Sequence, residues 1–258
     1  MIINPYIYEN YDPDALAFIT ATGIIDSTKK SAINTLVLNL KSCGVWIKMK
    51  AIYPFIGGSA FTHKFNLKDP RDLDVAYRLQ FINGWTHSAT GALPNGIDAY
   101  ADTKLVPLSV FTNQNDVGVS NYQVNSFSGY QEGCYDSVSR FLYGASTTDI
   151  DVRLNADTST PFTIGYSSNG KGLFTVTKQS STLLELYKNG SFATSVNRGT
   201  SSVNASVMMG ARNNSGTPNS FFSVEKRFTA FHTGLTSSEA SCFYSAVNAM
   251  QVTLGRNV

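Results

Sequence analysis

"GLFTVTKQSSTLLELYKNGSFATSV", residues 172–196, is the stretch of sequence that decides the fold. In its first part Phe174 and Val176 alternate with two threonines, which is the two-residue period of a β-strand with one buried face. Further along, Asn189-Gly190 separates two strand-like runs, and an Asn-Gly pair suits the positive-φ positions of a type I′ turn. The stretch therefore predicts antiparallel strands joined by a hairpin.

Short runs of the same kind follow one another from Trp46 onward, separated by Gly, Pro, Asn and Asp. They are AIYPFIG (51–57), FTHKFNL (61–67), VAYRLQF (75–81), LSVFT (108–112), NYQVNSF (121–127), RFLYG (140–144), FTIGYSS (162–168), LFTVTKQ (173–179), LLELYKN (183–189), SVMMGA (206–211) and FFSVEKRFTAFHT (221–233). Such spacing without interleaved helices predicts an antiparallel β-sandwich. Aromatic residues at 12% agree with this class, because they favour strands.

Helices are predicted at both ends of this β-rich body. Near the start, Asp12 is a candidate N-cap, Pro13 takes the first helical position and Gly23 ends the helix. A second helix is predicted within DSTKKSAINTLVLNLKSCG (26–44), where apolar residues recur at helical spacing, with Asp26 or Ser27 before them as the N-cap and Gly44 after them. Residues 1–45 are thus interpreted as an arm and helices packed on the main domain, and residues 46–258 as the β-sandwich domain.

The C-terminal helix has a clear start signal. Thr236 and Glu239 have the spacing of a capping box, in which each side chain binds the backbone N–H of the other. The apolar residues that follow recur at helical spacing; they are Ala240, Phe243, Tyr244, Val247 and Met250. The overall prediction is a mostly β protein with two N-terminal helices and one C-terminal helix.

Composition and charge exclude several classes of protein. The formal net charge is +2, and basic residues are spread out, which argues against nucleic acid as a partner. The first thirty residues lack a signal peptide, and no window has eighteen apolar residues, so we expect synthesis in a cytoplasm and no membrane insertion. Cys43, Cys134 and Cys242 are far apart without metal-site spacing, which favours reduced thiols over disulfides or zinc ligands.

The C-terminal half resembles a known family. ELYKNGSFATSV, followed by SVMMGARNNSGTPNSFFSVEKRFTAFHTGLTSSEASCFYSAV, is similar to the end of a concanavalin A-like (laminin G-like) jelly roll, over about 162–250. The N-terminal half, from AINTLVLNLKSCG (32–44) to ADTKLVP (101–107), resembles structural proteins of tailed bacteriophages, including those of Bacteroidetes-like hosts. The resemblance implies a virion component, such as a tail, fibre or capsid-decorating protein, that displays a lectin-like sandwich.

The polar segment MMGARNNSGTPNSFF (208–222) is one candidate for a ligand site. In the laminin G-like family, loops at one rim of the sandwich line the ligand site. The resemblance therefore makes Arg212, Asn213, Asn214 and Asn219 candidate carbohydrate-binding residues. The alternative is that the segment only turns the chain between two strands, since Asn, Ser and Gly tolerate positive φ.

A second candidate is the long segment FINGWTHSATGALPNGIDAYADT (81–103). A sugar needs an aromatic platform for its C–H face and amide or carboxylate groups for its hydroxyls. Residues that offer these parts are Trp85, His87, Asn95, Tyr100 and Asp102. The alternative is that Trp85 belongs to the core and Asn95-Gly96 is a turn.

Asp72 and Asp74 are the candidate metal ligands. Both fall within KDPRDLDVAYRL (68–79), where alternation would place them on one face of a strand, and oxygen ligands suit calcium. The alternative is that both carboxylates are solvated or paired with cations such as Arg71. The sequence otherwise predicts no cofactor.

Signals for catalysis are absent from the sequence. A retaining glycosidase on this sandwich needs paired carboxylates, but the five glutamates are isolated. The three histidines lie in different segments without a HExxH or GxSxG motif. We therefore expect no catalytic residues.

Three classes of function stay open. They are a virion protein that adsorbs to host-surface polysaccharide, a purely structural virion assembly protein without a glycan ligand, and a glycan-cleaving enzyme. In the first class, we expect other virion proteins as partners and a homo-oligomer.

Overall fold

The computed structural model describes residues 10–125, 129–145, 150–156, 170–197 and 199–258. In these residues the α-helices are α1 (Pro13–Thr22), α2 (Ser27–Ser42), α3 (Ala60–His63), α4 (Pro107–Val110) and α5 (Ser237–Thr253). The strands are β1 (Met49–Tyr53), β2 (Gln80–Ile82), β3 (Trp85–His87), β4 (Ala92–Pro94), β5 (Tyr100–Asp102), β6 (Val117–Gln123), β7 (Gly129–Tyr135), β8 (Arg140–Ala145), β9 (Ile150–Ala156), β10 (Gly172–Lys178), β11 (Leu183–Lys188), β12 (Ser191–Asn197), β13 (Met208–Met209), β14 (Arg212–Asn214), β15 (Thr217–Asn219) and β16 (Thr229–His232). The predicted strand at 162–168 lies outside the described residues.

Two large sheets make the sandwich. The first has the strand order β1-β16-β6-β10-β11-β12, and all its neighbours are antiparallel. The second has the order β15-β14-β7-β13-β5-β2, with β8 paired to β7 and β9 paired to β8; only the β14–β7 pair in it is parallel. β3 and β4 form a separate two-stranded hairpin. The predicted mostly β, antiparallel sandwich with a jelly-roll-like arrangement is confirmed.

The strands β6, β10 and β16 of the first sheet are buried on both faces, and their side chains alternate between these faces. The sheet's inner face meets the second sheet in a core that includes Tyr53 and Phe231, together with Tyr143 of β8. Its outer face is covered by α1, α2 and α5 in a separate cluster that includes Ile52 and Ala230. The protein thus has three layers, helices on a sheet on a second sheet.

The predicted helix starts and stops are confirmed. Asp12 caps α1 by accepting a hydrogen bond from the backbone of Asp14, and Gly23 ends it in the left-handed conformation. Asp26 caps α2. Thr236 and Glu239 form the complete capping box of α5. These signals act within one turn of the chain, which is why the sequence alone could reveal them.

The predicted Asn-Gly hairpin is also confirmed. Lys188 pairs with Ser191, which leaves Asn189 and Gly190 as a two-residue loop. Their φ values are 50° and 74°, as a type I′ turn requires.

Two of the predicted strands are wrong. Within 61–67 the chain forms the helical turn α3, whose N-cap Ser59 and residue Thr62 make a reciprocal capping box. Within 108–112 it forms α4, which starts with Pro107 at its first position. In both places a local helix-start signal overrides the β-favouring composition.

The prediction of three reduced cysteines is wrong for two of them. Cys43, at the C-terminus of α2, forms a disulfide with Cys242 in α5, and their Cα atoms are 6.2 Å apart. Cys134 is a free, buried thiol in the inner core. Spacing along the sequence could not reveal the pair, because 199 positions separate its members. Across the part of the chain that the structure describes, no helix has the length and apolarity to cross a membrane.

Candidate functional site

A cleft of about 560 Å³ opens beside the β3–β4 hairpin. One wall comes from this hairpin and its turn, and the other comes from the segments before β16 and after β6. The residues that line the cleft are Thr86, Ser88, Thr90, Gly91, Leu93, Val124, Asn125, Ser223, Val224 and Glu225. Four of them carry a hydroxyl and Asn125 carries an amide, so the cleft offers several uncharged hydrogen-bonding groups.

The walls of the cleft are joined by backbone pairing. The N–H of Ala92 donates to the carbonyl of Lys226 at 3.0 Å, and the N–H of Lys226 donates back at 2.8 Å. Gly91 allows this approach, because a Cβ there would lie only 2.3 Å from the Lys226 carbonyl oxygen. The turn itself is closed by Ser88, whose hydroxyl accepts from the N–H groups of Thr90 and Gly91. The geometry of the cleft is therefore fixed by main-chain contacts.

Glu225 is the one carboxylate among the described residues that line the cleft. Its Oε1 accepts a 2.7 Å hydrogen bond from the hydroxyl of Thr90, across the cleft. Its Oε2 lies 3.1 Å from Nη2 of Arg227. The carboxylate is thus held in one orientation by a neutral donor and a cation.

Trp85 and His87 lie on β3 but point away from the cleft. Alternation along the strand sends Thr86 to the cleft and its two neighbours to the other side. There the rings of Trp85 and His87 contact Phe81, with centroids 5.1 Å and 4.6 Å away. Nε1 of Trp85 donates to the carbonyl of Tyr100 at 3.1 Å. These two aromatic candidates are half-buried, and Trp85 packs against the core between the sheets.

His87 is paired with a second histidine. Its Nδ1 lies 2.9 Å from Nδ1 of His63, and Nε2 of His63 accepts from the backbone N–H of Gly58 at 3.1 Å. Burial lowers the pKa of His63 to about 3, with further contributions from His87 and Arg256. Burial also lowers the pKa of His87. Both rings are therefore neutral at pH 7.

The other candidates in 81–103 also have structural partners. Oδ1 of Asn95 accepts from three successive backbone N–H groups, at 97–99, which closes a turn. Asp102 is paired with Lys104 at 2.8 Å. The ring of Tyr100 lies 6.5 Å from that of Phe221.

The candidates in 208–222 lie on the β14–β15 hairpin, at the edge of the second sheet. The turn interpretation of this segment is confirmed, since Ser215 and Gly216 connect the strands with positive φ. Asn213 is buried; it donates to the carbonyl of Ser206 at 2.8 Å and accepts from the N–H of Gly216.

Tyr135 contacts two other candidate residues of this hairpin, Arg212 and Asn219. The guanidinium of Arg212 lies 5.0 Å from the ring centroid, and Arg212 also donates to Ser220. Nδ2 of Asn219 donates to the Tyr135 hydroxyl at 2.8 Å. Asn214 is exposed at the end of β14. A shallower cleft of about 330 Å³ lies beside Asn213.

The metal candidates Asp72 and Asp74 do not lie on a strand, because residues 74–76 form a 3₁₀ turn. Asp72 contacts Lys64 at 2.6 Å and Arg78 at 2.8 Å, and Asp74 contacts Arg78 at 2.9 Å. Hydrogen bonds from Lys64 and Arg78 lower the pKa of Asp72. Among the described residues there is no group of three or more His, Cys, Asp or Glu side chains that could hold a metal ion.

The fold thus brings the two candidate segments together, but through residues other than those named from the sequence. The first segment contributes Thr86, Ser88 and Thr90 to the cleft, and the chain just after the second contributes Ser223 and Glu225. Sequence reasoning selected aromatic and amide groups and passed over small hydroxyl residues. One signal for Thr86 was available, because neighbouring side chains of a strand point to opposite faces. A packed Trp85 therefore indicates that Thr86 points to the opposite, cleft side.

No protein-family model matches the sequence, and no curated protein matches it at a significant level. Among solved structures, a mutant of Trypanosoma rangeli sialidase displaying trans-sialidase activity is similar over 84% of this chain and 39% of its own, with a TM-score of 0.52 and 11% identity. The receptor binding domain of botulinum neurotoxin mosaic serotype C/D is similar over 78% of this chain and 51% of its own, with a TM-score of 0.51 and 9% identity. The botulinum neurotoxin serotype D binding domain is similar over 66% of this chain and 47% of its own, with a TM-score of 0.46 and 11% identity.

This chain therefore spans about half or less of the length of those three structures. At such low identity the likeness shows the fold alone, which is a β-sandwich of jelly-roll type.

Proposed function

We propose that this chain is a lectin-like binding domain of a bacteriophage virion protein, and that it adsorbs to a glycan on the host surface. The observation that carries the proposal is the hydroxyl-lined cleft between the β3–β4 hairpin and residues 223–225. A monosaccharide or short oligosaccharide is the ligand class that this cleft fits best.

The chemistry of the cleft matches the chemistry of a sugar. Hydroxyl side chains both donate and accept hydrogen bonds, as sugar hydroxyls do. Leu93 is 40% exposed at the cleft and offers an apolar surface to C–H groups. The Glu225 carboxylate, held by Thr90 and Arg227, is an acceptor for a sugar hydroxyl with a fixed direction. Binding sites commonly combine a few oriented polar groups with apolar contacts in this way.

The structural neighbours support a binding role. A receptor binding domain of a botulinum neurotoxin is among the structures that are similar to this chain with a TM-score above 0.5. The virion assignment rests on the sequence resemblance to structural proteins of tailed phages. It implies synthesis in the host cytoplasm, other virion proteins as partners and a homo-oligomer, in which weak single sites gain avidity.

The test is a glycan array together with size-exclusion chromatography and light scattering on the same purified sample. The proposal expects a discrete oligomer that binds one class of surface glycan. An oligomer that ignores all glycans would favour the purely structural assembly role. A monomer without glycan binding would remove the support for both.

A glycan-cleaving enzyme is the second candidate, because a sialidase is among the neighbours. The cleft argues against a two-carboxylate mechanism, since Glu225 has no second carboxylate among the described residues lining it. Release of reducing sugar from a host polysaccharide would revive this candidate, and we expect none.

A further inference from the structure

Three polar side chains are buried together between the two sheets. They are Asn121 of β6, Glu132 of β7 and Lys226, which precedes β16, and each is at most 2% exposed. The hydroxyl of Thr229 lies in the same group. None of their side chains lines the cleft, although the backbone of Lys226 pairs with Ala92 at its wall.

The carboxylate of Glu132 holds the other two side chains, one on each oxygen. Nζ of Lys226 lies 2.7 Å from Oε2, and Nδ2 of Asn121 donates to Oε1. Nζ of Lys226 also donates to Oε1 of Gln131 at 2.8 Å. An amine and a carboxamide are thus brought to the same buried carboxylate.

The orientation of the Asn121 amide is set by its partners. Its NH₂ group faces the carboxylate, and its Oδ1 accepts a 2.7 Å hydrogen bond from Oγ1 of Thr229. A donor at this oxygen polarises the carbonyl and would stabilise negative charge that develops on it. A simple ion pair needs only Lys226 and Glu132; the amide and the hydroxyl add an electrophile and its polarising group.

Burial also favours the neutral form of the amine. It is the main effect that lowers the pKa of Lys226, and the nearby Glu132 only partly opposes it. A buried charge pair is costly to desolvate, so a reaction that removes the charges is favoured in this environment. The neutral amine is the nucleophilic form.

We propose that Nζ of Lys226 attacks Cγ of Asn121 and that the two side chains become joined by an isopeptide bond. Glu132 first accepts a proton from the lysine ammonium. The amine lone pair then forms the Nζ–Cγ bond, and the carbonyl electrons move to Oδ1, which the Thr229 hydroxyl stabilises. A proton from Nζ passes through the carboxyl group to Nδ2, the Cγ–Nδ2 bond breaks, and ammonia leaves.

Atoms and charges in this reaction are balanced without an oxidant or any co-reactant. An ammonium, a carboxamide and a carboxylate become a secondary amide, ammonia and a protonated Glu132. The released ammonia can carry that last proton away as ammonium. The crosslink joins the segment before β16 to its hydrogen-bonded neighbour β6, in the centre of the sandwich.

The test is peptide mapping of the full-length, reduced protein by tandem mass spectrometry. The proposal expects a branched peptide that links Lys226 to Asn121 and is lighter by one ammonia than its two parts. Mass of the intact protein is not sufficient, because a succinimide at Asn95-Gly96 or Asn189-Gly190 loses ammonia as well. Recovery of both peptides unlinked, with no branched product, would overturn the proposal whether or not any variant folds.

Variants test the role of each group. We expect loss of the branched peptide in Glu132→Gln, Lys226→Met and Asn121→Ala. Lys178→Met is the matched control, because Lys178 is also fully buried but binds the carbonyl of Gly199 and the hydroxyl of Thr200. This control keeps the branched peptide. A Glu132→Gln protein with the wild-type amount of branched peptide would overturn the role of Glu132.

Discussion

Nδ1 of His63 and Nδ1 of His87 are 2.9 Å apart, and they join α3 to the β3–β4 hairpin that forms one wall of the cleft. The backbone N–H of Gly58 donates to Nε2 of His63, so the proton of the neutral His63 ring lies on Nδ1 and points to His87. Protonation of His87 would remove the acceptor of this hydrogen bond. The support of the hairpin therefore depends on both rings remaining neutral.

Because the pKa values of both histidines are lowered, we expect the protein to be less stable in mild acid. An unfolded histidine takes up a proton near pH 6.5, whereas His63 in the folded protein does so near pH 3. Below pH 6.5 the unfolded state binds more protons, so the free energy of unfolding decreases as the pH falls and levels off near pH 3. For His63 the decrease at pH 5 is about 2 kcal/mol. His232, with a pKa of about 4, acts in the same direction.

Urea denaturation at pH 7, 6 and 5 measures this effect. In His63→Gln the decrease between pH 7 and pH 5 should be smaller than in the wild type, because one of the titrating groups is gone. The aspartates Asp12, Asp69 and Asp72 have lowered pKa values and titrate outside this window. Equal decreases in both proteins would show that His63 is not responsible.

The disulfide predicts a second stability effect. Cys43–Cys242 closes a loop across 199 positions and ties α2 to α5, so its removal enlarges the conformational freedom of the unfolded chain. We expect Cys43→Ser/Cys242→Ser to lose about 2–5 kcal/mol in the free energy of unfolding. Chemical denaturation with and without dithiothreitol measures it. The reductant should destabilise the wild type and leave the double variant unchanged; the same response in both would contradict the prediction.

Arg256 predicts a third effect, because its buried guanidinium ties several segments together. It donates to the carbonyls of Pro54, Phe55 and Thr90, and burial lowers its pKa to about 10. The ammonium group of lysine cannot reproduce the N–H donors that a guanidinium presents in one plane. We expect Arg256→Lys to reduce the free energy of unfolding by about 3 kcal/mol, measured by urea denaturation.

Arg71→Lys is the matched control for that substitution. Arg71 makes an exposed ion pair with Asp69, and such pairs contribute little. Its substitution should leave the urea midpoint of unfolding unchanged. Equal losses in the two variants would mean that the contacts of Arg256 are not specific to a guanidinium.

A substitution that fills the cleft should reduce glycan binding without lowering the stability. Thr86 is exposed on the cleft side of β3, so Thr86→Trp fills the cleft with a side chain and leaves the packed face intact. We expect glycan binding to fall at least tenfold, about 1.4 kcal/mol. Titration calorimetry with the best ligand from the array measures the change.

Two kinds of variant complete that experiment. Thr112→Trp, at an exposed position outside the cleft, should bind like the wild type. Trp85→Ala should lower the stability, since Trp85 packs against Phe81, and Asn214→Ala should leave binding unchanged. Loss of binding in Asn214→Ala alone would move the site to the β14–β15 hairpin.

The sequence predicted those parts of the fold that depend on short-range signals. Asp12, Asp26 and Thr236 cap helices through neighbours within three positions, and Asn189-Gly190 forms its turn without help from other segments. Strand alternation is equally local, and it revealed the sandwich. The short strands at 85–87, 92–94 and 212–219 gave too few alternating positions for the same argument.

The site could not be predicted, because it depends on contacts between distant segments. The walls of the cleft are joined where Ala92 pairs with Lys226, and nothing near either residue specifies the other. The same reason hides the Cys43–Cys242 disulfide and the contact between Glu132 and Lys226. Aromatic and amide residues were natural sugar-binding candidates by chemistry, yet the chain uses Trp85, Asn95 and Asn213 to hold its own loops.

The helical layer has a consequence for how this protein is made. The outer face of the first sheet is covered jointly by α1 and α2, which precede every strand, and by α5, which follows every strand. β1, an early strand, also pairs with the late strand β16. Until β16 and α5 have left the ribosome, the apolar residues that they cover therefore lack their native contacts. We expect the nascent chain to be more prone to aggregation during that interval than after it.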